Sequence, residues 1–103
     1  MNFEVRRTID ADHPSLLGHF PGAPVVPGVV ILDEILAALT EWREASRLTA
    51  IRAVKFLLPL KPEQPFTISL SAVKDAEGEV DFCCRVEGRV IVEGRLQVRC
   101  GAI

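Results

Sequence analysis

The residues best suited to chemistry fall in one short stretch, Gly18-His19-Phe20-Pro21-Gly22-Ala23-Pro24-Val25-Val26-Pro27-Gly28-Val29. His19 is the one side chain in it that exchanges a proton near neutral pH. Three prolines and three glycines between Gly18 and Gly28 fix the backbone around it, proline by restricting φ and glycine by permitting unusual φ. Pro27 suits the first position of a helix, where its missing N–H costs nothing. Free N–H groups at a helix start carry partial positive charge and can hold a developing oxyanion. An imidazole beside such a start can take a proton from the carbon next to a carbonyl. The plainer reading of His19 is a loop histidine bonded to backbone.

Asp33 is the second candidate. An acid in the first half of a helix is ordinarily explained by the helix dipole, but Asp33 lies too deep in the apolar run Val25 to Leu39 to be merely a cap. One residue turns a helix by about 100°, so Asp33 and Glu34 cannot both face His19. Glu34 then reads as a solvated or interface charge. His13, ahead of Pro14, reads as a turn element, with a substrate contact or second base as the sharper alternative.

The elements that must position these groups follow from patterning. Asn2 to Ile9 alternates like a strand, and Asp10 to Pro24 is a loop rich in Pro, Gly, Asp and His. Val29 to Trp42 is apolar almost all round, the pattern of a buried helix. Four more strands are expected over Ala50 to Leu58, Phe66 to Lys74, Val80 to Val86 and Arg89 to Arg99. Asp75-Ala76-Glu77-Gly78 and Glu87-Gly88 read as hairpin turns, and Gly94 as a bulge. These elements predict an α+β domain, one antiparallel sheet of about five strands wrapped around one long helix. A single sheet covers only one side of such a helix, so either the sheet curls strongly or a partner covers the rest.

The segment His19-Phe20-Pro21-Gly22-Ala23-Pro24-Val25-Val26-Pro27-Gly28, with Asp33 fourteen residues past the histidine, resembles the signature of the hotdog-fold 3-hydroxyacyl-acyl-carrier-protein dehydratases. Weaker similarity extends through Phe56-Leu57-Leu58-Pro59-Leu60-Lys61-Pro62 and Val86-Glu87-Gly88-Arg89-Val90. The resemblance implies that His19 takes the α-proton of a 3-hydroxyacyl thioester and that Asp33 holds or protonates the leaving 3-hydroxyl. It also implies that the Gly28 N–H bonds the thioester carbonyl, and that the trans-2-enoyl thioester is released without metal or organic cofactor. Phe20, Val25 and Phe56 are expected to contact the substrate, Phe56 being equally suited to the core. In this family the histidine of one subunit meets the carboxylate of the other. The implied assembly is therefore a homodimer or larger hotdog oligomer. Short relatives of this kind occur in gene clusters for polyenes and other specialised lipids, sometimes paired with a second hotdog subunit, which makes a heterodimer the alternative. Asp at position 33 is similar to the branch that both dehydrates and isomerises. The chain has no tyrosine, so it lacks the family's tyrosine gate, and the turn after Pro62 reads Glu63-Gln64 in place of the usual Gly-Asp.

Composition bounds the rest. A chain of 103 residues with 49% hydrophobic content predicts one domain over 1–103, small enough to gain from burying a further face in an oligomer. Twelve scattered basic residues and a net charge of −2 argue against nucleic acid. Three cysteines, two of them adjacent, and no Cys-x-x-Cys or His-x-x-x-His spacing argue against a disulfide framework or a zinc site; the thiols read as small apolar fillers. No signal-like or membrane-spanning run is evident, and the expectation is a soluble cytoplasmic protein whose substrate is an acyl-carrier-protein or coenzyme A thioester. Two rival functions share the fold: a thioesterase that activates water with a carboxylate, and a non-catalytic acyl-binding subunit of a heterodimer.

Overall fold

The computed structural model describes residues 2–13 and 25–100. Six elements follow in order: β1 (Asn2–Arg7), α1 (Gly28–Trp42), β2 (Ser46–Phe56), β3 (Phe66–Ala72), β4 (Glu79–Val86) and β5 (Arg89–Cys100). The strands form one antiparallel sheet in the order β1-β3-β4-β5-β2, with α1 packed on one face. This is the expected α+β arrangement. The alternation within β3 and β4 explains which face the helix takes: Phe66, Ile68, Leu70, Val80, Phe82 and Cys84 are buried, while Thr67, Ser69, Asp81 and Arg85 point the other way. From the helix, Val30, Ile31, Ile35, Ala38 and Leu39 complete the core.

The meander of β3, β4 and β5 is joined as expected. Glu87 (φ 50°) and Gly88 (φ 81°) both take positive φ in the two-residue loop that sets Val86 opposite Arg89, the hairpin geometry whose twist matches the strands. The β3–β4 connection spans residues 73–78 rather than the four expected, because the Val73 N–H closes it on the Glu79 carbonyl at 3.0 Å.

Other boundaries differ from expectation for local reasons. β1 ends at Arg7, although Ile9 stays buried, because the backbone leaves the ladder there. β2 begins at Ser46 and stops at Phe56, beyond which the Leu57 and Leu58 N–H groups both donate to the Ile91 carbonyl, at 2.8 and 3.2 Å. The bulge of β5 is not at Gly94. Register on β4 steps from Cys84↔Val92 to Arg85↔Val90, which makes Ile91 the extra residue. Gly94 serves close packing instead: a side chain there would run into the Ala53 carbonyl and the Phe82 ring.

The helix also departs from the all-round burial expected of it. One face is in the core, but Val29 is 63% exposed and Asp33, Ala37 and Thr40 share its side. Pro27 is the N-cap (φ −60°, ψ 145°) rather than the first helical residue, which is Gly28. At the other end of the helix Trp42 stacks on Phe3, with ring centroids 6.3 Å apart, and the Arg43 guanidinium lies 4.1 Å over its face. No helix among the described residues is long and apolar enough to cross a membrane.

Candidate active site

Two structural devices meet at the start of α1. The first is the helix terminus: the Pro27 carbonyl accepts from Val30 and Ile31, at 3.0 and 3.4 Å, and the Gly28 N–H, in the first turn, has no acceptor within the helix. The second is the segment that follows β2. The Ile91 bulge turns its carbonyl toward Leu57 and Leu58, which swings Phe56 and its neighbours over the helix start. Phe56 then lies so close to Gly28 that a Cβ there would stand 2.7 Å from its Cζ and 2.9 Å from its Cε1. A side chain at 28 would therefore have to displace the aromatic ring.

Between these two devices opens an apolar cleft of about 410 Å³. Val25, Val26, Gly28 and Ile31 form one wall, and Phe56 through Leu60 the other. Its base is core, since Val26, Ile31 and Leu60 are almost wholly buried, and its rim is open at Phe56, Leu57 and Leu58, which are 43–48% exposed. The Val26 N–H donates to the Leu60 carbonyl at 2.8 Å and ties the walls together. Three of the residues nominated as substrate contacts, Val25, Gly28 and Phe56, thus line one cleft. Leu57, Leu58, Pro59 and Leu60 belong to the segment of weaker family similarity, and their apolar run did not mark them as lining a cleft. Larger hollows, about 450 and 550 Å³, lie on the outer face of the sheet and are lined by charged and polar side chains such as Glu4, Arg6, Asp81 and Arg95. There Arg95 is bonded to Asp81 at 2.7 Å, and these surfaces hold none of the nominated residues.

Asp33 does not face this cleft within one chain. It lies five residues beyond Gly28, about 7.5 Å along the axis and turned by roughly 140°, on the exposed side of the helix. It joins no ion pair among the described residues. Glu34 is engaged: its carboxylate is 3.1 Å from Arg7 Nε, and a second nitrogen of Arg7 bonds Glu41. Arg7 shares the inward parity of Phe3 and Val5, an unusual place for an arginine and the one sequence signal for this contact. His19 and Phe20 lie outside the described residues. His13 is described in the turn after Ile9, its N–H donating to the Asp10 carbonyl at 3.1 Å, which agrees with a turn role.

The described thiols divide by face. Cys84 is fully buried in the core, where burial, aided by the neighbouring Cys83, pushes its pKa up to about 12. Such a thiol is almost entirely protonated at neutral pH and is no nucleophile. Cys83 is half-buried on the outer face and so is not a core filler; burial also raises its pKa, partly opposed by Arg85. Among the described residues no group of three His, Cys, Asp or Glu side chains converges as metal ligands.

Comparison with known proteins agrees with this architecture. A family model described as ApeI-like, ApeI dehydratase, matches residues 1–95. A curated 3-hydroxyacyl-[acyl-carrier-protein] dehydratase, FabZ of Ehrlichia chaffeensis, is 26% identical over 98 residues, covering 87% of this chain and 68% of its own length. The dehydratase heterocomplex ApeI:P from Xenorhabdus doucetiae superposes with a TM-score of 0.82 at 19% identity, over 94% of this chain and 86% of that one. An acyl-CoA hydrolase from Staphylococcus aureus superposes with a TM-score of 0.71 at 14% identity, over 96% of this chain and 62% of that one. At such identities the structural likenesses show the hotdog fold alone.

Proposed function

Because the chain belongs to the ApeI-like dehydratase family, we propose that it dehydrates a 3-hydroxyacyl thioester to the trans-2-enoyl thioester, with His19 and Asp33 as the acid–base pair. The acyl chain enters the apolar cleft beside Gly28, and the thioester carbonyl accepts from the Gly28 N–H. His19 removes the α-proton. The electron pair moves into the Cα–Cβ bond, and the 3-hydroxyl departs as water after taking a proton from Asp33. Carrier-protein and coenzyme A thioesters share this reacting end.

The observation that carries this reading is the placement of Asp33 on the opposite side of the helix from the cleft its own chain forms. An acid so placed is of use to the cleft of a second subunit. A second subunit also has an apolar surface to cover: Val29, Ile51, Val54, Phe56, Leu57 and Leu58 are all exposed, and β2 is a sheet edge. Burying half-exposed side chains of this size is worth on the order of 1 kcal/mol each. We therefore assign the active unit as a dimer of hotdog chains, each supplying the acid for the other's cleft.

The test is direct. Purified protein given a 3-hydroxyacyl thioester produces the ultraviolet absorbance of the conjugated enoyl thioester, and His19→Ala abolishes it with the melting temperature within a few degrees of wild type. Free thiol in place of enoyl absorbance assigns the protein to thioester hydrolysis instead.

A further inference from the structure

The apolar cleft beside Gly28 continues past its own wall. Leu58 and Pro59, which line it, also line a second hollow of about 220 Å³ together with Gln64, Val86, Glu87 and Arg89. Gln64, Val86 and Glu87 are shared in turn with the hollow of about 450 Å³ on the outer face of the sheet, which holds Arg6 and Arg85. The three hollows thus follow one another around the end of the sheet, each sharing wall with the next.

Two local features build the middle of this groove. The Ile91 carbonyl accepts from the Leu57 and Leu58 N–H groups, at 2.8 and 3.2 Å, and so lays their segment against the start of β5. The Glu87-Gly88 loop is tight because both residues take positive φ, and it sets Arg89 opposite Val86. Arg89 is thereby brought beside Leu58 and Pro59.

The chemistry of the lining changes along the groove. It is apolar at the cleft, mixes Leu58, Pro59 and Val86 with the Gln64 amide in the middle, and carries guanidinium groups from Arg89 onward. Arg6, Arg85 and Arg89 join no ion pair among the described residues, whereas Arg7 and Arg95 are matched by carboxylates. Of the acids along the way, Glu4 accepts from the Ser69 hydroxyl at 3.3 Å, and Glu87 opposes an anion.

An acyl thioester on a phosphopantetheine arm has the same order of parts: an apolar chain, the thioester, a stretch of amides and methyl groups, and a phosphate. We propose that the middle hollow seats this arm and that Arg89 binds its phosphate, the planar fork of the guanidinium donating to two phosphate oxygens. This rests on the function proposed above and names its substrate as a phosphopantetheine thioester, the form shared by coenzyme A and carrier proteins.

The 3-hydroxyacyl thioesters of pantetheine and of phosphopantetheine differ in the phosphate alone, so the pair isolates its contribution. Arg89→Ala is expected to raise KM roughly 10-fold for the phosphorylated substrate, the scale of a charge-assisted hydrogen bond, and to leave kcat and the pantetheine substrate unchanged. Glu87→Gln is expected to lower KM for the phosphorylated substrate alone. An equal effect of Arg89→Ala on both substrates, or none on either, overturns the proposal. With coenzyme A and carrier-protein thioesters Arg89→Ala is expected to raise KM alike, and the one with the lower wild-type KM is the natural source. Calorimetry with phosphopantetheine and pantetheine themselves needs no turnover: wild type is expected to bind the first about 10-fold more tightly and Arg89→Ala to bind both equally. A wild type without that preference overturns the proposal, whereas the preference without any dehydration sinks the dehydratase reading and leaves the arm site standing.

Discussion

Arg7 holds Glu34 at 3.1 Å across the gap between the sheet and the helix, and this contact separates two adjacent acids that sequence alone leaves side by side. Glu34 faces β1 and is engaged; Asp33, one residue earlier and about 100° away, faces solvent on the side where a second subunit would lie. Replacing Asp33 by Asn is therefore expected to lower kcat by 10²-fold or more with the fold intact. Glu34→Gln is expected to keep turnover within a few-fold and to cost about 1 kcal/mol or less, the scale of a partly exposed ion pair. Steady-state kinetics with thermal melts of both variants check this, and an inactive Glu34→Gln beside an active Asp33→Asn would reassign the acid.

If each cleft borrows its acid from the neighbouring chain, two dead variants should rescue one another. In a mixed dimer of His19→Ala and Asp33→Asn chains, one site carries both lesions and the other carries none. Random mixing in equal amounts makes half the dimers mixed, each with one working site of two, so about a quarter of wild-type activity is expected to return. The measurement is turnover after subunit exchange, for instance by co-refolding. No recovery, with mixed dimers present by native mass spectrometry, would place both groups of a site on one chain.

The contact between Gly28 and Phe56 predicts a coupling. Gly28→Ala puts a methyl carbon about 2.7 Å from the ring, so the ring must move into the cleft or away from it. A loss of roughly 1–3 kcal/mol in stability is expected, the range for overpacking, together with a raised KM. Phe56→Leu made in the same chain should recover most of both. Two single variants whose effects simply add would show that the ring and the helix start are independent.

Much of this was legible in the residues because the fold repeats simple periods. The alternation of Phe66, Ile68 and Leu70 against Thr67, Ser69 and Ser71 fixes β3 and its buried face, and Glu87-Gly88 can hardly be anything but a tight hairpin loop. The bulge at Ile91 was not legible, since it arises where the carbonyl of a buried strand residue turns to hold Leu57 and Leu58, a contact between distant parts of the chain. Gly94 drew the bulge assignment because glycine in a strand marks either a bulge or a close approach, and only packing against Phe82 and Ala53 decides between them. The helix looked apolar all round, yet its Val29, Asp33 and Ala37 side is exposed. At the site, Val25, Gly28 and Phe56 line one cleft, while His19 and Phe20 lie outside the described residues.

Cys84 predicts a pH dependence of stability that has nothing to do with catalysis. Burial lifts its pKa from an ordinary 9.0 to about 12, so the folded chain keeps this proton at pH values where the unfolded chain releases it. The sign follows: a raised folded-state value contributes stability that is complete below pH 9 and is lost as pH climbs from 9 toward 12. Within that window the thiol should remove about 1.4 kcal/mol of unfolding free energy per pH unit. Other groups titrate there too, so the test is a difference. Cys84→Ala, less stable at every pH by the loss of core packing, should show a shallower fall above pH 9 in denaturant titrations. Parallel slopes for the two proteins would mean that the thiol is not sealed from water and that the layer between Ile68 and Val92 is looser than its packing indicates.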